Sequence, residues 1–222
     1  PTLNRDFITR LNITWRGRSA VARLPQPARC VSRRWLDQLM LRRAERAGAR
    51  IERGVTARAW EHGAIRTDDG ATLPTDALFL ATGKHDLRGL ARPEAARGTD
   101  PALGLRVRLG PHPTLSRLVG RKIELHLFDR GYAGCATQED GTVNLCLALR
   151  RSRLTEAGSP RALLDALARE SPHLAERLAH LSAEPAIDAV ANVPYGWRAL
   201  DSEPGVFRLG DQAAVIPSLA GE

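Results

Sequence analysis

Cysteine is scarce in this sequence, and its scarcity excludes several kinds of site. The 222 residues include three cysteines, Cys30, Cys135 and Cys146, which lie far apart and form no CxxC pair. An odd count without such a pair argues against a disulfide framework and against a structural zinc site. The six histidines show no HxxxH or HExxH spacing, so the sequence predicts no metal. It also predicts a reducing, cytoplasmic location.

Lysine and aromatic residues are scarce too, although the chain is basic. The net charge is +8, yet the only lysines are Lys84 and Lys122, and the arginines are scattered among acidic residues and alanines. Aromatic residues make up 5% of the chain, which is few for a surface that stacks on bases. No nucleic-acid partner is therefore expected, and polyanion binding stays a minor alternative.

Long apolar runs are absent, so the sequence predicts no transmembrane segment. Apolar residues make up 43% of the chain, an ordinary value for a globular protein large enough for one domain or two interleaved ones. The first residue is Pro1 rather than Met, and the sequence stops abruptly after Gly221-Glu222. These ends indicate a fragment or a processed chain.

Hydrophobic periodicity predicts an α/β arrangement in the first hundred residues. Alternation over Thr9–Val21 predicts a hairpin, which Pro25 and Pro27 should end. Helical spacing between a Ser32 cap and Gly48 predicts a helix, followed by a short strand at 49–52. The continuous apolar run 77–81 is typical of a strand buried on both faces.

After residue 101 the sequence pattern changes to strand-like segments separated by turn residues, which predicts an antiparallel sheet with helices. Four strands are expected, at 104–109, 122–128, 131–138 and 142–150, the last three as a meander. Leucines at helical spacing predict a helical layer over 160–181, broken near Pro172. A further strand is expected at 185–193, and then the chain returns to an apolar strand at 205–209.

The end of the chain carries the most informative motif. The strand 205–209 runs into Gly210-Asp211, and the helix-like segment that follows contains Pro217 and Gly221. Glycine permits close approach of a ligand to the backbone, a carboxylate accepts hydrogen bonds from hydroxyls, and helix-start amides favour phosphate. The run is similar to the second FAD-contacting motif of flavoprotein monooxygenases and geranylgeranyl reductases. That resemblance implies that Asp211 bonds the ribitol of FAD and that Pro217 and Gly221 lie along the flavin; a plain turn after an edge strand is the alternative.

A second motif begins the predicted helix near residue 33. The segment 30–37 (CVSRRWLD) places Arg33 beside free helix-start amides, an arrangement that suits a pyrophosphate. The pattern resembles the same flavoprotein families and implies that Arg33 faces FAD. An ordinary amphipathic helix with a surface arginine is the alternative interpretation.

Two strand ends resemble further cofactor contacts of these families. By the match, the backbone of Val55 contacts the adenine, and Ala81-Thr82-Gly83 forms an end-of-strand element that a cofactor approaches, since open α/β sheets bind ligands there. Aromatic hydroxylases usually carry Asp-Gly, Ser and Arg at the second place. Thr82, Asp86 and Arg88 depart from that pattern, which bears on any hydroxylase-like handling of the nicotinamide nucleotide.

The candidate catalytic side chains are His126, Tyr132, Tyr195 and, by the same logic as Tyr195, Trp197. Gly131-Tyr132 resembles the start of the G-Y-A-W substrate element of geranylgeranyl reductases, but the bulky half of that element is missing. A partly buried strand tyrosine is the alternative for Tyr132.

The role of His126 depends on which face of its strand is covered by the helices. If the face with Ile123, Leu125 and Leu127 packs on the leucine-rich helices, His126 faces the flavin and can exchange a proton. A solvent-facing or hydrogen-bonded histidine is the alternative.

The ordered motifs predict an α/β fold with an α+β insertion, namely a partial FAD/NAD(P)-binding Rossmann-like domain interrupted by an antiparallel-sheet substrate domain. The predicted parts are a substrate-domain hairpin (1–28), part of the FAD-binding domain (29–90), the substrate-binding sheet and helices (91–200), and the FAD-binding domain again (201–222). The amino-terminal GxGxxG unit and the closing helix of the family are not in the sequence, which predicts a fragment of that fold.

By resemblance, the chain belongs to an FAD-dependent oxidoreductase whose flavin is reduced by NAD(P)H or another electron donor. The reduced flavin would then reduce a C=C bond or support hydroxylation of a small to medium organic substrate, such as a secondary metabolite or a lipid-like molecule. The alternative is a non-catalytic basic binding module that retains the fold without FAD. The sequence leaves the substrate, the reductant and the oligomeric state open.

Overall fold

The chain divides into two units, each discontinuous in sequence, in a computed structural model that describes residues 7–218. The first unit contains the residues up to Arg43 and the segment Ala102–Ala191, and the second contains Ala44–Pro101 and the residues from Asn192 onward. None of the helices in the described residues is long and apolar enough to cross a bilayer.

Twelve strands and five α-helices make up the described part of the chain. The strands, in chain order, are β1 (Ile8–Trp15), β2 (Arg18–Ala28), β3 (Ala57–Glu61), β4 (Ala64–Thr67), β5 (Thr72–Pro74), β6 (Leu78–Leu80), β7 (Ala102–Leu109), β8 (Lys122–Phe128), β9 (Gly131–Thr137), β10 (Val143–Arg150), β11 (Asp188–Val193) and β12 (Val206–Arg208). The helices are α1 (Arg33–Arg46), α2 (Pro113–Val119), α3 (Arg151–Ala157), α4 (Pro160–Glu170) and α5 (Pro172–Leu178).

The first unit is built on a seven-stranded mixed sheet in the order β11-β7-β10-β9-β8-β1-β2. The predicted meander β8–β9–β10 is confirmed as antiparallel, while β1 and β8 run parallel. The short helices α2 and α3 were not predicted from the periodicity, because seven residues span only about two helical turns.

The predicted hairpin at the start of the chain is confirmed, but its expected end is wrong. A turn at Arg16-Gly17, with both residues at positive φ, joins β1 to β2. The second strand continues through Pro25 and Pro27 to Ala28. Because β2 is the edge strand of the sheet, a proline there sacrifices no ladder hydrogen bond on its outer side.

The helical layer over the sheet is confirmed, with its break at Pro172. Its buried leucines join those of the strands in one core cluster of sixteen residues: Leu103, Leu105, Val107, Leu109, Leu115, Val119, Ala133, Cys135, Val143, Leu145, Leu147, Leu149, Leu163, Leu164, Leu167 and Leu174. This burial of large apolar side chains is the main stabilising contribution in the unit.

The condition on which a flavin-facing His126 depended is not met, and the alternative, a hydrogen-bonded histidine, is the one observed. Arg177 on α5 reaches the carboxylate of Glu124, so the face with Glu124 and His126 is the one that the helices cover. The alternative face, with Ile123 and Leu125, is only half-buried. An ion pair between two buried side chains overrides the rule that the apolar face is covered, because each charge satisfies the other.

Helix α1 is confirmed, and its capping serine is tied to the sheet. Ser32 Oγ accepts a hydrogen bond from the Trp35 N–H, and the Ser32 N–H donates to Glu139 Oε2 at 2.8 Å. No residue of α1 is buried, and Met40 is 54% exposed.

The second unit has two small sheets, the antiparallel β3-β4-β5 and the parallel pair β6-β12. Its core is a cluster of six buried residues: Trp60, Leu78, Leu80, Leu87, Leu90 and Val206. The predicted strand at 49–52 is not formed. The expectation that β6 is buried on both faces is also wrong, since Phe79 is 62% exposed and stacks on Phe207 with the ring centroids 5.0 Å apart.

Candidate functional site

Two of the predicted cofactor motifs meet at the ends of the parallel strands of the second unit. Strand β12 pairs with β6 in the register Val206↔Leu78, so the two strands end at the same edge. Ala81-Thr82-Gly83 follows β6, and Gly210-Asp211 follows β12. The amide of Leu209 continues the ladder by donating to the carbonyl of Leu80 at 2.9 Å. The carboxyl edge of a parallel sheet is where α/β folds bind ligands.

A buried glutamine joins these two segments. Gln212 is fully buried, and its Nε2 lies 2.9 Å from Thr82 Oγ1, 2.9 Å from the carbonyl of Gly83 and 2.8 Å from the carbonyl of His85. The amide oxygen of Gln212 accepts from Arg208 at 3.2 Å. The side chain therefore holds the turn after β6 in a fixed position against the turn after β12.

A buried arginine makes a second link between the same segments. Arg92 is 6% exposed and donates to the carbonyls of Gly83 at 2.7 Å, Lys84 at 3.3 Å and Asp211 at 2.7 Å. Its Nη1 also donates to Asp86 Oδ1 at 2.6 Å. Sequence reasoning missed both Arg92 and Gln212. In the sequence, Gln212 is marked only by its place after Gly210-Asp211. Asp86 gives no means of choosing its partner Arg92 from the many arginines.

The carboxylate of Asp211 has a cationic neighbour. Lys84 Nζ lies 2.9 Å from Asp211 Oδ2, and both side chains are about one-third exposed, at 35% and 34%. A carboxylate has acceptor sites on both oxygens. The lysine bond on Oδ2 therefore leaves Oδ1 for a hydroxyl donor.

The two glycines of these motifs adopt backbone conformations that favour glycine and face open space. Gly83 has φ 64° and Gly210 has φ 55°, both in the left-handed region. A Cβ at either position would meet nothing within 4 Å. The left-handed backbone accounts for glycine at both positions, and the space beside the two turns leaves room for a ligand to approach the backbone.

The predicted aromatic residues near this edge are also brought to it. The amide of Gly196 donates to the carbonyl of Val215 at 2.7 Å, which lays the Tyr195 turn against the segment after Asp211. Tyr195 Oη lies 2.5 Å from Ser218 Oγ, next to Pro217. The Trp197 ring lies under the guanidinium of Arg92, 5.0 Å from its centroid.

The remaining predicted cofactor residues lie elsewhere. Val55 precedes β3 and is 43% exposed, so it is not at the end of β6 or β12. Arg33 begins α1 in the first unit, where its Nη2 pairs with Asp37 Oδ1 at 3.0 Å. Gly221 lies outside the described residues.

The other predicted catalytic residues belong to the first unit, where His126 is part of a buried polar network. His126 Nδ1 lies 2.9 Å from Thr14 Oγ1, and its Nε2 lies 3.5 Å from Glu124 Oε2. Arg177 donates to both oxygens of Glu124 at 2.9 Å. Burial alone raises the pKa of Glu124, but the contacts with His126 and Arg177 outweigh it and lower the pKa to about 2.

This network includes a possible ligand set for a metal, but its chemistry does not fit one. Donor atoms of Glu124, His126 and Cys135 lie within 4.8 Å of one another, and all three residues are buried. Glu124 is already engaged by Arg177 on both oxygens, and a second cation would be repelled there. Burial raises the pKa of Cys135 far above its ordinary value, so its sulfur is a thiol rather than the thiolate that a metal needs.

Gly131-Tyr132 is the other predicted substrate element. The packing of the sheet by itself explains why its first residue is glycine. A Cβ on Gly131 would lie 2.7 Å from the carbonyl oxygen of Ala148 and 2.6 Å from a ring carbon of Phe128. Tyr132 itself is half-buried and pairs with Ala148 across the sheet.

Comparison with solved structures identifies the fold. The chondrochloren halogenase CndH of a myxobacterium, described as a variant of FAD-dependent halogenases, superposes with a TM-score of 0.68 at 16% identity over 96% of this chain. A geranylgeranyl bacteriochlorophyll reductase-like protein from Thermoplasma acidophilum gives 0.68 at 14% identity over 94% of this chain. PqsL, a probable FAD-dependent monooxygenase from Pseudomonas aeruginosa, superposes with a TM-score of 0.59 at 17% identity over 97% of this chain.

The chain has the flavoprotein monooxygenase and geranylgeranyl reductase-like fold. The predicted fold class, a Rossmann-like α/β part interrupted by a sheet domain, is confirmed. The chain spans 54%, 55% and 63% of the lengths of these three proteins, so it corresponds to a part of each. No family model matches the sequence, and no curated protein matches it either.

The names of two of these neighbours, the CndH halogenase and PqsL, state a dependence on FAD for those proteins. In this chain, the β6 and β12 ends combine the open space at Gly83 and Gly210, an Asp211 carboxylate that is about one-third exposed, and the two buried side chains that fix both turns. The likeness at these identities describes the fold alone.

Proposed function

We propose that the chain is part of an FAD-dependent oxidoreductase and that its second unit supplies one wall of the FAD site. The observation that carries this proposal is the junction of Thr82–Gly83 with Gly210–Asp211 at the ends of two parallel strands. The flavoprotein fold of the chain supports it, as does the open space beside both glycines.

Each residue of the wall has a distinct role in this proposal. Asp211 accepts a hydrogen bond from a ribityl hydroxyl at Oδ1, and Gly83 and Gly210 let the backbone approach the cofactor. Arg92 and Gln212 do not touch FAD but hold the two turns in register. Pro217, Ala81 and the Tyr195–Ser218 pair continue this wall, and Gly221 follows them in the sequence.

Arg33 and Val55 complete the proposed cofactor set. Arg33 would face the pyrophosphate, and its exposed guanidinium is free to exchange Asp37 for a phosphate oxygen, since surface ion pairs are weak. The backbone of Val55 would contact the adenine. We further propose that the parts 29–90 and 201–222 bind FAD, and that 1–28 and 91–200 bind substrate.

When bound, FAD supplies hydride transfer or oxygen activation, and the protein orients it and excludes water. The donor would be NAD(P)H or another reductant, and the substrate a small to medium organic molecule. Tyr132 and Tyr195 are the candidate substrate contacts. His126 is held by Thr14 and Glu124 under the helices, which suits a structural hydrogen-bonding role better than proton exchange with a ligand.

The proposal predicts that the complete protein binds FAD and that Asp211→Ala weakens this binding. A hydrogen bond to a charged acceptor contributes about 1.5–3 kcal/mol, so the dissociation constant should rise by about ten- to a hundredfold. The measurement is flavin fluorescence during titration of the apoprotein with FAD. Asp201→Ala, which removes an exposed acid of the same unit, is the matched control and should leave the constant unchanged.

Two results would contradict the proposal. One is a complete protein that is colourless and cannot be reconstituted with FAD. The other is an equal FAD affinity in the wild type and in Asp211→Ala.

A cofactor-free binding module is the second candidate, and the Lys84–Asp211 ion pair favours it. That pair neutralises the charge of Asp211 and occupies its Oδ2 without any ligand. Salt-dependent retention on heparin without any flavin signal would support this candidate. Many arginines already pair with acids, as Arg106 does with Asp188 and Arg161 with Asp165, which reduces the charge available to a polyanion.

A further inference from the structure

A cavity in the first unit is lined by none of the residues proposed to hold FAD. It opens at the ends of β1 and β8 and is closed by the last turn of α4 and the first residues of α5, with a volume of about 280 Å³. The residues that matter for its chemistry are Trp15, Arg16, His126, Phe128, Leu167 and Leu174.

The walls of this cavity suit a flat apolar group. Two aromatic side chains, Trp15 and Phe128, and two leucines, Leu167 and Leu174, line it. A cavity of about 150 Å³ lined by apolar side chains holds a benzene ring, so a volume of about 280 Å³ holds one or two fused rings. Trp15 is 42% exposed, so the ring wall is reachable from solvent.

The floor of the cavity is buried, and the charges behind it are paired with one another. His126 is 1% exposed and is held at Nδ1 by Thr14 Oγ1, 2.9 Å away. Behind it, the negative charge of Glu124 is matched by Arg177. Any net charge on a ligand must therefore be matched at the rim.

The rim leaves one cation available. Among residues 7–218, no ion pair engages Arg16, whose guanidinium carbon lies 5.1 Å from the centroid of the Trp15 ring. Both rim acids are already paired: Asp129 Oδ2 lies 2.9 Å from Arg130 Nε, and Glu170 pairs with Arg153. Arg16 supplies one positive charge, which matches a ligand with a single negative charge and leaves half the charge of a doubly charged ligand such as a phosphate unmatched.

From this geometry we infer that the cavity is a binding site for a small aromatic monocarboxylate. The ring lies between Trp15, Phe128 and the leucines, and the carboxylate pairs with Arg16 in a charge-assisted hydrogen bond.

The test is isothermal titration of the complete protein with 2-naphthoate and with its neutral isostere, 2-naphthamide. We expect saturable binding of 2-naphthoate, weakened about tenfold or more in Arg16→Gln, because a bond to a charged partner is lost. The amide should bind more weakly to the wild type and should not respond to Arg16→Gln. Trp15→Ala should weaken both probes, because it removes the ring wall that they share.

Two controls locate the effect. Arg18→Gln removes an exposed arginine of the same hairpin that does not line the cavity, and it should leave both affinities unchanged. Asp211→Ala should also leave the affinity for 2-naphthoate unchanged, so failure of the FAD proposal and failure of this inference are distinguishable. Absence of saturable 2-naphthoate binding at millimolar concentration, or equal effects of Arg16→Gln and Arg18→Gln, would overturn the inference.

Discussion

The two units use a buried arginine in different ways. In the first, Arg177 on α5 bonds a side chain, the carboxylate of Glu124 on β8. In the second, Arg92 bonds mainly the main chain, at the carbonyls of Gly83, Lys84 and Asp211. The first arrangement fastens a helix to a sheet, whereas the second fixes the path of two turns. A buried charge can thus serve packing in one unit and positioning in the other.

The two units also differ in the size of their apolar cores. The first unit has the leucine-rich cluster between the sheet and its helices, whereas the second has six buried residues and an exposed phenylalanine pair. Because less apolar surface is buried in the second unit, polar contacts must carry a larger share of its order. The following experiments test that contrast.

Removal of the Arg177 side-chain charge should produce the largest effect. Arg177→Met removes the cation that bonds both oxygens of the buried Glu124 carboxylate and leaves only Lys122, whose Nζ lies 3.5 Å from Oε1. The free energy of unfolding of the first unit should fall by up to about 3–5 kcal/mol. Amide hydrogen exchange of peptides from β8 and α5, followed by mass spectrometry, measures it. The double variant Glu124→Leu/Arg177→Met should recover most of the loss. A single variant as protected as the wild type would show that the pair does not hold these elements together.

Low pH should reduce the free energy of unfolding of the first unit, because it protonates the carboxylate of Glu124. The pKa of Glu124 is about 2 in the folded protein and about 4.3 in the unfolded chain, so the folded state favours the ionised form. This stabilisation is complete above the unfolded pKa and disappears as pH falls through the folded pKa, with a total of about 3 kcal/mol. Urea unfolding between about pH 6 and pH 2 measures it. The double variant should have a shallower pH dependence over this interval, and an identical slope would contradict the assignment.

The second unit should respond next to the loss of Arg92. Arg92→Met leaves carbonyls of both turns without their donor and should cost about 2–3 kcal/mol of local stability. We expect faster amide exchange in peptides covering 82–86 and 210–213, with the first unit unaffected. Arg88→Met is the control, because Arg88 is an exposed arginine whose ion pair with Glu61 contributes little. Equal effects of the two substitutions would remove the proposed link between the turns.

The smallest effect is expected at the exposed phenylalanine pair. Phe79→Ser should cost about 1 kcal/mol or less, because the side chain is 62% exposed and only its stacking on Phe207 is lost. Leu80→Ala, at a side chain that is 2% exposed, should cost about 2–5 kcal/mol. Thermal unfolding of both variants gives the comparison. A large loss in Phe79→Ser would show that this face is covered in the complete protein.

Much of the fold follows from local sequence patterns. Period-two alternation and turn residues locate the hairpin and the meander, and leucine spacing locates α4 and α5. The meeting of Gly83 with Asp211 also follows, because parallel strands end at one edge and both motifs directly follow such strands. These features depend on neighbours in sequence or on one simple rule of topology.

Other features depend on long-range partners that no local pattern encodes. The alternation in β8 separates the face of Ile123 and Leu125 from that of Glu124 and His126, but which face is covered is decided by Arg177, far along the chain. In the same way, Arg92 resembles every other arginine in the sequence until the carbonyls of two separate turns surround it. The pairing of a charge over such a distance is decided by tertiary structure, so the sequence alone does not reveal it.

Gly131 affects how any future survey of variants is interpreted. Every side chain larger than hydrogen at this position meets the main chain of the neighbouring strand, at the carbonyl of Ala148. Intolerance to replacement there carries information about backbone spacing and none about substrate choice. Evidence about the chemistry of the Gly-Tyr element must therefore come from substitutions at Tyr132, the half-buried residue that follows.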